Sequence, residues 1–230
     1  QGRTTWGFVP AAYPGVTLGE LDAEQKRLAH ALLQAALSSQ GYLKATAIIG
    51  LEDVLAALEG PAATHRDPRR YALQVFGTPS ATGTWAWRLQ GHHLSLHFSL
   101  SGGRLAGHTP SFYGSNPHEL RTGSHAGRRV LGLEEDLARG LLATFDDTTV
   151  GGDLMGALAV IARDAPADVI LGPQRAADFL GEPAQGLPWS AMSAGQQELL
   201  WRLIEEYARN LKGEFAELEL ERVRARGRDH

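Results

Sequence analysis

The chain has 230 residues, enough for a large core without covalent staples, and its lack of cysteine excludes disulfides, thiolate metal sites and cysteine nucleophiles. A net charge of −4 lays no basic footprint for nucleic acid, and the arginines within Glu221 to Arg228 read as a solvated helix end. No apolar run approaches the roughly 20 residues of a membrane span.

Gln1 to Gly19 carries Trp6, Phe8, Pro10, Tyr13 and Pro14 without helical period, so an extended arm held by its aromatics is expected. These first residues do not form a signal peptide, although a start at Gln is compatible with a removed leader, so both a cytoplasmic and an exported location stay open. Asp22-Ala-Glu-Gln25 has the form of a capping box and opens a helix with Leu28, Ala31, Leu32 and Ala35 at helical spacing, expected to stop at Gly41. A second helix is predicted from about Tyr42 to Leu58, ended by Gly60-Pro61. The charges of Thr64 to Arg70 read as a solvated loop.

Tyr71 to Phe76 alternates as a strand does, and turn residues follow it. The longest alternating run is Trp85 to Leu100. Its apolar residues are odd-numbered before Gly91 (Trp85, Trp87, Leu89) and even-numbered after it (Leu94, Leu96, Phe98, Leu100). A one-residue change of phase needs a turn or a bulge, and a bulge at Gly91 is the reading preferred here. It puts the tryptophans and leucines on a core face with His92 beside them, and Arg88, Gln90, His93, Ser95 and His97 on the other. Gly102-Gly103 then leads to a short strand over Arg104 to His108, and 109–117 reads as a loop.

Helical period returns over Glu134 to Phe145 and Asp153 to Arg163, separated by Asp146 to Gly152, and Pro166 to Pro188 reads as irregular. Ser193-Ala-Gly-Gln196 repeats the capping box and opens a helix through Tyr207. Its likeness to Asp22–Gln25 reflects a shared start signal rather than a repeat, because nothing downstream keeps register. Gly213 is expected to break that helix, with Glu214 to Arg226 forming either another helix or a strand. Direct succession of strands points to an antiparallel sheet. The expected architecture is a single α+β domain over 1–230, with a central antiparallel sheet at about 71–108 packed by helices from both ends of the chain.

Three histidines in six residues, His92, His93 and His97, invite a metal reading. A strand rises about 3.3 Å per residue, so His93 and His97 stand about 13 Å apart and cannot share an ion bound at about 2 Å. At most His92 and His93 serve together, completed from His108, His118 with Glu119, or His125. Arg88 suits a carboxylate or phosphate, and equally a structural acid. Tyr113 and Asn116 offer polar contacts in a stretch that is first of all turn chemistry. No phosphate-binding glycine loop and no nucleophile elbow is present.

At these residues the chain resembles domain-of-unknown-function family thirty-five hundred of bacteria and fungi. The carrying segments are Arg66-Asp67-Pro68 through Tyr71, Phe76-Gly-Thr-Pro-Ser80, Trp85-Ala-Trp87, Gly91-His-His-Leu94, and Pro110, Phe112 and Gly114 through Pro117, with the helical pieces Gln25 to Tyr42 and Gln196 to Tyr207. The resemblance implies a shared site to which Arg88, His92, His93 and Asn116 carry over, and no reaction. It also implies that a further C-terminal part of the family, with a His-x-His segment, is missing after His230.

The leading expectation is therefore a metal-dependent hydrolase or oxygenase. His92 and His93 would hold iron, copper or zinc, and Arg88 and Asn116 would act on a small anionic substrate. The alternatives are a metal-free small-ligand-binding module and a structural domain with satisfied histidines. Oligomeric state is not legible.

Overall fold

The computed structural model describes residues 2, 4–145 and 187–227. The helix expected over Asp153 to Arg163 and the segments 146–152 and 166–186 lie outside the described residues.

The first capping box forms as its sequence requires. Asp22 accepts from the Gln25 amide at 2.8 Å, Gln25 reaches back to the Asp22 amide at 3.0 Å, and α1 runs over Ala23–Ala36. Such a cap contributes about 1 kcal/mol. The expected stop at Gly41 is not observed: α1 ends at Leu37, and Ser38 caps α2, Ser39–Glu59, by accepting from the Gly41 amide. Gly41 is instead a close-approach glycine inside α2, where a β-carbon would stand 2.0 Å from the carbonyl oxygen of Asn210. Gly60, with φ of 82°, ends α2 as expected.

The sheet is antiparallel, with β1 (Val16–Thr17), β2 (Ala72–Phe76), β3 (Thr84–Gly91), β4 (Leu94–Ser101) and β5 (Arg104–Gly107) in order; β6 (Ser111–Tyr113) pairs with β4 beyond β5. The stretch 109–117, read as a loop, thus contains a short strand. With helices before and after this sheet, the α+β class holds.

The change of phase in Trp85 to Leu100 is produced by a turn and not by a bulge. Gly91 pairs with Leu94, Leu89 with Leu96 and Trp87 with Phe98, which leaves His92 and His93 as a two-residue connection. His93 carries φ of 58°, the left-handed value a tight turn demands at its second central position and one seldom taken by a residue other than glycine. Crossing a two-residue turn swaps odd for even numbering, so the sorting of faces survives although its cause differs. On the apolar face Trp87 stacks on Phe98 at 4.5 Å, and Leu73 and Leu89 line a small cavity together with Ala29 and Leu33 of α1 and Ile49 of α2. Gly91 has no positive φ; it is needed because the Tyr71 ring lies where a side chain would go.

The chain divides into two compact units, Gln1–Leu131 with Asn210–Phe215 and Gly132–Arg209 with Ala216–His230. The first holds α1, α2 and the sheet. In the second, α3 is Gly132–Leu142, and Ser193 and Gln196 form the capping box of α4, Ala194–Ala208. Gly213, expected to break a helix, is the first residue of α5, Gly213–Arg226, along which Arg224 lies over the Trp201 ring at 5.0 Å. Among the described residues no helix is long and apolar enough to cross a membrane.

Candidate functional site

The tip of the β3–β4 hairpin meets α2. Glu52 Oε1 lies 2.5 Å from Nδ1 of His92, and both side chains are buried, at 3% and 9% exposure. A carboxylate oxygen beside Nδ1 sets the tautomer: Nδ1–H donates to Glu52, and Nε2 remains as the acceptor. Arg66 approaches from 26 residues away, with Nη1 at 3.4 Å from Nε2 and 3.1 Å from Nδ1. Glu59, seven residues or about two turns of α2 beyond Glu52, takes Nε and Nη2 of Arg66, the latter at 2.7 Å. The Arg66 hydrogen bonds lower the Glu59 pKa from its ordinary value, and Glu59 raises that of Arg66 in turn. Glu59 leaves Nη1 to face the imidazole. Tyr71 donates its hydroxyl to the His92 carbonyl at 2.5 Å, and burial, then the nearby Glu52, pushes its phenol upward.

His93 does not share the strand face with Arg88, as expected from a bulge, but sits in the turn. Its ring centroid is 3.9 Å from that of His92. Its amide donates to the Phe8 carbonyl at 2.7 Å, and its carbonyl accepts from Gly114 at 2.7 Å. Burial, followed by the charges of His92 and Arg66, lowers its pKa to about 4.

Arg88 faces the opposite side of the sheet from α1 and α2, in register with Gln74 and His97. It is 1% exposed and lies under the N-terminal arm, with Gln74 Oε1 accepting from Nε and Nη2 and the carbonyls of Gly2 and Thr5 accepting from Nη1. The cleft beside His92 is not lined by Arg88. Asn116 lies elsewhere again, exposed on a cavity of about 330 Å³ lined also by Val54, Leu58, His118 and Arg121. The four residues expected to form one site thus occupy three places, with only His92 and His93 together.

The donor set at the tip does not suit a metal. His92 Nδ1 is engaged by Glu52, and a guanidinium stands beside both ring nitrogens, where a cation would be repelled. Among the described residues no three His, Asp or Glu side chains group as ligands; His125 is exposed, and His118 lies 4.0 Å from Glu119 on the surface.

A comparison with protein families matches residues 1–229 to the one described as Protein of unknown function (DUF3500). The chain belongs to this family. No curated protein and no solved structure matches it. The DUF3500 chain therefore owes its functional reading to the site itself.

Sequence reasoning missed Glu52 and misread Arg66. Glu52 sits in an ordinary helical stretch and gives no local sign. The charge run of Thr64 to Arg70 places Arg66 in a solvated loop, yet its side chain is 11% exposed. A signal existed, since Arg66-Asp67-Pro68 is among the segments that carry the family resemblance.

Proposed function

We propose that the chain is an enzyme whose hairpin tip performs acid–base chemistry on a small anionic substrate, with His92 as the proton-transfer group and Glu52 orienting it. The supporting observation is the buried 2.5 Å contact between Glu52 and His92 Nδ1, which makes Nε2 the proton-transferring nitrogen once a substrate takes the place of Arg66 Nη1, 3.4 Å away. An adjacent cleft of about 10 Å³, room for one water, is lined by Pro10, Ala11, His65, Arg70, Glu52 and His92. Pro10 and Ala11 of the arm form part of its wall. Arg66, whose Nη1 lies against the His92 ring, and Arg70, which lines the cleft and whose guanidinium makes no hydrogen bond among the described residues, supply positive charge beside it. A buried Glu52–His92 pair with the Arg66 side chain against it is an expensive way to hold a hairpin, which favours chemistry over a structural role.

The test is turnover of a panel of small carboxylate and phosphate esters by purified protein, with metal content measured in parallel. Turnover that is lost in His92→Gln and reduced in Glu52→Gln, in variants that keep the native melting curve, is the expected result. Turnover untouched by His92→Gln overturns the proposal. Stoichiometric iron, copper or zinc that disappears in His93→Ala would replace it with the metal-dependent reading.

A further inference from the structure

The face of the sheet under the N-terminal arm carries a charge without a counterion. Arg88 is buried, yet every acceptor on its guanidinium is neutral: Gln74 Oε1 at 3.0 and 2.6 Å, the Gly2 carbonyl at 3.1 Å and the Thr5 carbonyl. The Phe76 ring lies 5.1 Å from its central carbon. Among the described residues no carboxylate forms an ion pair with it. Removing a cation from water is costly, and neutral carbonyls repay less of that cost than an anion does.

The surrounding polar groups are also incompletely used. His97 stands directly across from Arg88, and Ser95 directly across from Gln90, so the four form two adjacent rungs on one face. Gln90 Oε1, Ser95 Oγ and His97 Nε2 are buried without a hydrogen-bond partner, and Gln90 and Ser95 are 1% and 0% exposed. Buried polar atoms are nearly always paired, so three orphans beside one uncompensated guanidinium call for an explanation. The cover is the arm, held by the stack of Phe8 on Phe112 at 4.4 Å, with Trp6 beside both rings. Phe112 is in register with Ser95 and so lies on this same face.

We propose that this face is a binding site for a small oxyanion that also bears a hydroxyl, such as hydrogen phosphate or a hydroxy acid, and that the arm occupies it with its own carbonyls. The ligand's anionic oxygens take the place of the Gly2 and Thr5 carbonyls on Arg88. Ser95 and His97 Nε2 donate to the same anion, and the ligand's hydroxyl donates to Gln90 Oε1. Arm and ligand are then mutually exclusive, and weakening the arm tightens binding by the fraction of open molecules it releases. The inference stands on Arg88 and its neighbours and is independent of proton transfer at His92.

The experiment titrates the full chain with inorganic phosphate and, separately, with malate, at constant ionic strength, following Trp6 fluorescence and the His97 ring signals by NMR. Phe8→Ala is expected to tighten binding about tenfold, because it removes the ring that clamps the arm. Ser95→Ala in the Phe8→Ala background is expected to weaken it about fivefold, and Arg88→Gln to abolish it. A preference for phosphate or for malate identifies which oxyanion the site takes. Absence of a saturable response in Phe8→Ala to either probe, an equal response to chloride, or unchanged affinity in Ser95→Ala overturns the proposal, and the first and third outcomes hold even if Arg88→Gln fails to fold.

Discussion

The ring of Tyr71 lies so close to the backbone of Gly91 that a β-carbon on Gly91 would stand 2.4 Å from Cδ1 of the ring. The same tyrosine reaches past that glycine to donate its hydroxyl to the His92 carbonyl. One aromatic residue therefore positions both the end of β3 and the turn that carries the histidines.

Gly91→Ala is accordingly expected to lower stability by about 1–3 kcal/mol, through displacement of the Tyr71 ring and not through any demand on φ. Urea unfolding measures it. In a double-mutant cycle with Tyr71→Ala the two changes should be strongly non-additive, since the clash disappears with the ring. An unaltered midpoint for Gly91→Ala, or simple additivity, would contradict the packing described.

His93 should tolerate glycine better than any β-branched residue. At φ of 58° a left-handed backbone costs a residue with a side chain roughly 1–2 kcal/mol. His93→Gly removes that strain while losing the contact with His92, and should change stability by less than about 1 kcal/mol. His93→Val keeps a side chain where it is least welcome and should be clearly less stable. Equal unfolding midpoints for the two variants would argue against the turn geometry.

Stability should fall as the medium is acidified from about pH 6.5 towards pH 4. His93 and His97 both have folded pKa values lowered to about 4, in each case mainly by burial, with His92 and then Arg66 adding at His93 and Arg88 at His97. Between the two limits the unfolded chain binds protons that the folded chain refuses, so acid favours unfolding; the contribution is complete above the unfolded value near 6.5. Urea midpoints at a series of pH values, with His97→Gln flattening part of the slope, check this. Imidazole signals of His93 and His97 that titrate near 6.5 in the folded protein would refute it.

Replacing Glu52 alone leaves His92 buried without its acceptor and should destabilise by about 1–3 kcal/mol. Replacing both, as Glu52→Leu with His92→Leu, should recover most of that loss, because a paired apolar substitution avoids burying two polar groups. Recovery fits a pair retained for chemistry. A double variant less stable than either single one would mark the pair as structural.

Much of the fold was legible because its signals are local. The two capping boxes, the Gly60 stop, the strand Ala72–Phe76 and the sorting of tryptophans and leucines to one face follow from spacing alone. Where a local signal was ambiguous, distant contacts decided it. Gly41 resembles a helix stop but is required by the Asn210 carbonyl, and Gly91 resembles a bulge residue but is required by Tyr71.

The candidate site was legible only in its histidines. Glu52 comes to His92 across 40 residues and Arg66 across 26, while the carbonyls on Arg88 come from 83 and 86 residues away. The sequence by itself determined which faces are apolar and where helices begin, since these depend on repeat period and on hydrogen bonds within one turn. Only the tertiary structure decided that His92 is oriented by a carboxylate and that Arg88 is sealed beneath the arm, because hydrogen-bond partners are chosen by distance in space, which spacing along a chain does not encode.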